Sequence, residues 1–200
     1  MSKISNRRSI RLREYDYSQS GAYFVTICTR ERQCLLGQIE HGQVVLFEAG
    51  EIAQSVWLGL PNRFPSVTLD EYVIMPNHIH GIFLVGAQFI APDLPQSIAS
   101  NPKDDMANRV CTLGEIVRAY KAIVTRLVHT RNDAATDRDV MNKGGMNPAP
   151  TVTAWFGWQR NYYEHVIRND DDLQRTREYV VANPTCWDED ENNPALLNAE

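Results

Sequence analysis

The stretch VTLDEYVIMPNHIHGIFLV, residues 67–85, decides the fold class. Val67–Met75 and His78–Val85 are each rich in β-branched and aromatic residues, the composition of strands. Only Pro76-Asn77 separates them, so they read as a hairpin, with Pro-Asn in place of the more usual Asn-Gly turn. Moving outward, Tyr23–Arg30 (YFVTICTR) reads as a strand, and so does Gln43–Phe47, reached through a turn at His41-Gly42. Trp158–Ile167 has the same character. Three segments carry helical signals. Glu48–Leu60 places Ile52, Ala53, Val56, Trp57 and Leu60 at amphipathic spacing and is closed by Pro61 and Pro65. Thr112–Val128 carries a stripe through Leu113, Ile116, Val117, Tyr120, Ile123, Val124 and Leu127. Asp170–Ala182 opens on acidic residues, which the helix dipole favours, and Asn183-Pro184 stops it. Hairpins mixed with helices predict an α+β domain, an antiparallel sheet with helices packed on one face.

The 200 residues suggest one domain over 1–187, with loop insertions near 86–110 and 132–150 and an acidic, flexible tail over 188–200. No apolar run approaches the roughly 20 residues of a membrane helix. Met1–Arg13 is polar and basic, unlike a secretory leader. Cys28, Cys34, Cys111 and Cys186 are scattered, which suits reduced thiols and predicts a cytoplasmic protein rather than a disulfide framework or zinc ribbon. The net charge of -5 is unevenly spread. Lys3, Arg7, Arg8, Arg11, Arg13, Arg30 and Arg32 outnumber Glu14, Asp16 and Glu31 in the first 32 residues, whereas the tail holds acids and no base. A basic arm can bind phosphates locally while the total stays acidic.

The sharpest chemical feature is His78-Ile79-His80. In a strand, residues i and i+2 point to one face, roughly 6.5–7 Å apart, so both imidazoles can reach one divalent metal. A pair of ordinary strand histidines is the plainer reading. Two ligands are too few, and a nucleophile is also needed. Tyr179 and Asn183 lie four apart on the last helix and so share a face. A half-buried tyrosine followed by a helix stop accounts for them equally well. Tyr120 falls in the apolar stripe of its helix. Tyr162 and Tyr163 sit on opposite faces of their strand and compete for the nucleophile's role; Glu164 and His165 are further candidate ligands.

Three blocks in order now resemble a known family. They are Pro76-Asn77-His78-Ile79-His80-Gly81, then residues 158–168 (WQRNYYEHVIR), then Glu178-Tyr179-Val180-Val181-Ala182-Asn183-Pro184. With the opening Arg7-Arg8-Ser9 and Gly21-Ala22-Tyr23-Phe24-Val25-Thr26, the chain resembles the REP-associated tyrosine transposases, a group of HUH (His-hydrophobe-His) single-strand DNA transposases. The likeness spans roughly residues 7–187 apart from the two loops. It implies a ferredoxin-like or RRM-like sheet, Mg²⁺ or Mn²⁺ on His78 and His80, and Tyr179 as nucleophile. It also implies a 5′-phosphotyrosine intermediate and single-stranded DNA carrying short palindromic hairpins as substrate. Arg7, Arg8, Arg11 and Arg13 become candidate DNA contacts. Asn183 is the candidate third metal ligand, at a position where the wider family often has Gln, one methylene longer. A hydrolase that activates water on the histidine pair, and a non-catalytic nucleic-acid-binding domain, are the alternatives. The DNA site, the metal and the choice between monomer and homodimer stay open at this level.

Overall fold

The computed structural model describes residues 21–86, 111–141 and 156–197. Six strands and five α-helices follow in the order β1 (Gly21–Cys28), β2 (Gly37–Glu40), β3 (Gln43–Leu46), α1 (Glu48–Leu58), α2 (Leu60–Arg63), β4 (Val67–Ile74), β5 (His78–Val85), α3 (Leu113–Met141), β6 (Tyr163–Ile167), α4 (Asp170–Ala182) and α5 (Pro194–Leu197). The main sheet has the order β4-β5-β1-β6, antiparallel throughout. Taken as β1-α1-β4-β5-α3-β6, this is the ferredoxin-like split βαβ arrangement. β2 and β3 form a separate hairpin. Its turn, His41-Gly42, has positive φ at both residues (52° and 75°), as a type I′ turn requires.

The period-two alternation of the strands sorts their side chains onto two faces. Tyr23, Val25, Ile27, Ile79 and Phe83 point to one, where α1 and α3 cover them with Trp57, Tyr120, Ile116 and Val124. Trp57 stacks on Phe83, ring centroids 4.6 Å apart, and Tyr120 hydrogen-bonds through its hydroxyl to the Ala53 carbonyl. Gly81 is part of this fit: a Cβ there would overlap the Trp57 ring. The other face carries Ala22, Phe24 and Ile82 with Ile167, capped by Val180 of α4. Asn169 caps α4, its Oδ1 accepting from Asp172 N at 2.8 Å.

Three boundaries differ from the sequence reading. α3 runs on to Met141, so 132–141 is helix rather than loop. Polar helix formers after Val128 extend it without an apolar stripe, and periodicity cannot see them. The predicted Trp158–Ile167 strand is paired only from Tyr163; before that, Trp158 makes an isolated bridge to Thr29. The predicted mobile tail is a folded segment from 188 to 197: a 3-10 helix over Asn183–Glu189 leads into a turn that buries Asp190, Asn192 and Asn193. The basic arm with Arg7, Arg8, Arg11 and Arg13, and residues 87–110 and 142–155, lie outside the described residues.

Candidate metal and nucleophile site

β5 begins with the two histidines because the chain emerges there from a buried turn. Asn77 is fully buried. Its Nδ2 donates to the carbonyls of Arg32 (2.8 Å) and Asn192 (2.7 Å), which uses both amide hydrogens and fixes the side chain's orientation. Asn77 Oδ1 is left to accept from His78 Nδ1 at 2.8 Å. The proton of His78 is therefore on Nδ1, and Nε2 carries a bare lone pair. Register places His80 opposite Thr26, whose Oγ1 lies 2.9 Å from His80 Nδ1. The two Nε2 atoms come within 3.0 Å of each other. Two ring nitrogens that close need a proton or a cation between them.

Burial holds both imidazoles neutral. The His78 pKa is pushed down to about 3, first by desolvation and then by the Arg32 charge, with Asn183 opposing. His80 is also pushed down to about 3, by desolvation and then by His78. Neutral imidazoles are the form that binds metal.

Tyr179 approaches from α4. Its hydroxyl oxygen is 3.3 Å from His80 Nε2, and its ring packs on His80 and on Phe24. The side chain is half-exposed, open to a cleft of about 460 Å³ lined also by Phe24, Arg32, Tyr162 and Tyr163. Desolvation raises the phenol pKa, and Asp190 and Glu191 raise it further; Asn183 opposes them. Asn183 is buried one helical turn further on, as its spacing predicts. It is close enough to influence both His78 and Tyr179, yet its Oδ1 has no hydrogen-bond partner at bonding geometry.

Sequence reasoning missed Asp190. Its Oδ1 accepts from Asn192 N and Nδ2 (2.7 and 2.9 Å), and its Oδ2 is buried without a hydrogen bond, 3.6 Å from His78 Nε2. Candidate ligand atoms of His78, His80 and Asp190 all lie within 4.8 Å of one another. The two Nε2 atoms, which need a proton or a cation between them, and the orphaned Oδ2 of Asp190 fit a divalent cation by chemistry and by position, and Asn183 Oδ1 is a second buried oxygen without a partner. Nothing periodic marks Asp190; it stands in an acidic run that composition assigns to solvent.

The other candidates separate cleanly. Glu164 pairs with Val25 in register and so faces α1 and α3, away from the histidines. His165 is on the correct face, but its Nε2 is engaged by Asp172 Oδ2 at 2.9 Å, outside the cluster. Tyr163 shares the cleft with Tyr179 and lies opposite Thr26. Tyr120 is in the core, as expected.

A ferredoxin-like sheet with a buried histidine pair on one central strand, met by a tyrosine from a helix crossing that face, defines the class of this protein. The chain is 36% identical over 198 residues to a protein of Haemophilus influenzae described only as uncharacterized, covering 94% of this chain and 93% of that one. The two belong to one family. No family profile matches the chain. Among solved structures, it is similar to a REP-associated tyrosine transposase bound to a REP hairpin, with TM-score 0.48 and 18% identity over 88% of this chain and 73% of that one. A candidate transposase from Deinococcus radiodurans has TM-score 0.39 and 12% identity over 86% of this chain and 95% of its own. No described helix is long and apolar enough to cross a membrane.

Proposed function

We propose that the protein is a metal-dependent transposase that cuts and rejoins single-stranded DNA at palindromic hairpins, with Tyr179 as nucleophile. The observation that carries this reading is the Tyr179 hydroxyl at 3.3 Å from His80, beside a buried cluster of two neutral imidazoles and unpaired oxygens. A half-exposed tyrosine aimed at such a cluster has the geometry of a nucleophile.

A phenol with its pKa raised above 10 is a poor nucleophile at neutral pH. When bound, Mg²⁺ or Mn²⁺ would supply charge that stabilises the phenolate and the phosphate oxygens. His78 and His80 would hold the ion through Nε2, with Asn77 and Thr26 fixing the ring orientations from behind. Asn183 and Asp190 compete for the remaining protein ligand: the first brings a neutral oxygen, the second a charge. Tyr179 Oη attacks phosphorus and loses its proton; the bond from phosphorus to the 3′-oxygen breaks, and that oxygen leaves as a 3′-hydroxyl. The 5′-phosphotyrosine keeps the bond energy, so a 3′-hydroxyl can reverse the step without a nucleotide cofactor. The arm with Arg7, Arg8, Arg11 and Arg13 is a phosphate-binding candidate in this scheme.

The test is incubation of the full chain with hairpin-bearing single-stranded oligonucleotides and Mn²⁺, followed by denaturing electrophoresis. A covalent protein–DNA band is expected, and it should vanish in Tyr179→Phe while DNA binding survives. Cleavage without any adduct would favour water activated at the histidine pair. Binding that ignores metal and never cleaves would favour a non-catalytic nucleic-acid module.

A further inference from the structure

A second and larger cleft, about 880 Å³, runs between α3 and the segment Phe156–Tyr162. One wall is a face of α3, on which Gly114, Arg118, Lys121, Thr125 and His129 recur at three- and four-residue intervals with Arg126 beside them. The adjoining stripe of the helix, through Leu113, Ile116, Val117, Tyr120, Val124 and Val128, is buried in the core, and Val117 reaches the floor of the cleft. Arg118 and Arg126 are exposed on the cleft side, Lys121, Thr125 and His129 are half-buried, and Arg118 to His129 spans about 16 Å of the helix axis. Arg30 and Arg160 come from the other wall, where Trp158 and Tyr162 add ring surface.

The charge of this cleft runs against the chain as a whole. Arg30, Arg118, Lys121, Arg126 and Arg160 line it in a protein of net charge -5. Glu115 is its one carboxylate, and it is engaged in a capping box with Thr112 (Oε2 accepts from Thr112 N at 2.9 Å). Arg118, Arg126 and Arg160 make no ion pair among the described residues. Lys121 has another task. Its Nζ donates to the carbonyls of Gln159 and Asn161, both at 2.9 Å, and so fastens the loop to the helix; desolvation pulls its pKa down to about 8.

Gln159 and Tyr162 line both this cleft and the one that opens on Tyr179. The two are consecutive because the Trp158–Tyr162 segment leaves the sheet ladder before β6 begins. The geometry points to a second subsite for single-stranded DNA: nucleotides flanking the bond cut at Tyr179 lie between α3 and Phe156–Tyr162, their phosphates on Arg118, Arg126 and Arg160. Trp158 packs on Tyr120 and Phe156, and Tyr162 lies under Lys121 Nζ, so the two rings are partly buried and give the wall an apolar surface that unpaired bases can cover. The inference rests on the strand-cleavage reading of Tyr179.

The experiment compares the full chain with Arg118→Glu/Arg126→Glu/Arg160→Glu, and with the milder Arg118→Gln/Arg126→Gln/Arg160→Gln should the first not fold. Fluorescein-labelled twenty-residue oligothymidylate and a tailless DNA hairpin are titrated at several salt concentrations with Mn²⁺ present. Affinity for oligothymidylate should fall on the order of tenfold at moderate salt, and the log–log salt slope should shrink by about 0.7 per lost contact, roughly 2 in all. Affinity for the tailless hairpin should change little. Unchanged affinity and slope for oligothymidylate in folded variants would overturn the inference, as would equal loss on both DNAs. Tighter binding of polyglutamate than of oligothymidylate would also overturn it and indicate an acidic protein partner. The adduct assay separates the two readings: an adduct at Tyr179 with unchanged strand affinity sinks the subsite alone. Reduced strand affinity in a protein that forms no adduct sinks the cleavage reading and leaves the cleft a strand-binding surface.

Discussion

The two faces of the central sheet solve opposite problems with alternate residues of the same strands. On the α1/α3 face, Tyr23, Val25, Ile27, Ile79 and Phe83 meet Trp57, Tyr120 and Val124 in a continuous apolar core. On the α4 face, β5 places His78 and His80 beside Asn183 and Asp190, all buried, and two of their oxygens have no hydrogen-bond partner. Burying an unpaired polar oxygen costs about 1–3 kcal/mol. A sheet can carry that cost on one face only if the other supplies a surplus. The comparison teaches that stability and chemistry are separated by a single residue step along β5: Ile79 and Gly81 serve the core, His78 and His80 the site.

The largest effects are therefore expected on the side away from the chemistry. Trp57→Ala empties the centre of the apolar face and should destabilise by about 3–5 kcal/mol. Gly81→Ala pushes a methyl into the Trp57 ring and should cost about 1–3 kcal/mol. The double variant makes the comparison sharper: with the ring gone the methyl has room, so its cost should nearly disappear. Urea melts of the four proteins give the coupling energy directly. Additive losses would show that the strain at Gly81 has some source other than Trp57.

These dependencies also explain what was legible in the sequence. The hairpin, the amphipathic helices and the apolar face of the sheet follow from local periodicity and appear in the fold, although α1 ends at Leu58 and Pro61, expected to close it, opens the short α2. His78 and His80 were legible because period two fixes a shared face. Tyr179 and Asn183 were legible as a pair because period 3.6 does the same on α4. What periodicity lacks is any statement about contacts distant in sequence. Asp190 reaches His78 across more than a hundred residues through an irregular turn, and its acidic neighbours make the segment look solvated. Thr26 and Asn77 fix the histidine rings, yet each reads as an ordinary strand or turn residue. α3 beyond Val128 failed for a simpler reason: a helix with no apolar face has no period to detect.

The α4 face should respond more in function than in stability. His78→Ala and His80→Ala are each expected to weaken Mn²⁺ binding by about 100-fold or more, since each removes one of the few proposed protein ligands. In metal-free buffer their thermal midpoints should fall, because each leaves a cavity and an unpaired Asn77 Oδ1 or Thr26 Oγ1, but by less than in Trp57→Ala. Calorimetric titration beside thermal melts checks both halves. Unchanged metal affinity in both variants would make the pair structural and end the contrast between the faces. Thr26→Val, of nearly the same shape, removes the partner of His80 Nδ1 and should weaken binding by about 10-fold.

The smallest effect is expected where α4 is fastened to the sheet edge. Arg177, two residues before Tyr179, donates from Nε to Asp70 Oδ1 at 2.9 Å and from Nη2 to Asp70 Oδ2, a bidentate pair between α4 and the irregular part of β4. Arg177 hydrogen bonding is the main cause of the lowered Asp70 pKa, with a backbone bond from Glu71 adding to it. A carboxylate whose folded pKa lies below its unfolded value near 3.9 contributes stability that is present above that value and is lost as pH falls through the folded one. Arg177 is more than a third exposed, so solvent screening reduces the contribution to about 1 kcal/mol or less. Asp70→Asn should therefore lower stability slightly at pH 7 and flatten its decline below about pH 4. Parent and variant should converge there, which urea melts between pH 2.5 and 7 would resolve. If the pair also sets the pose of α4, adduct formation at Tyr179 should drop further than stability does, because a small tilt moves the hydroxyl away from His80. A variant that loses stability but forms adduct at the parental rate would show that Val180 packing alone positions the nucleophile helix.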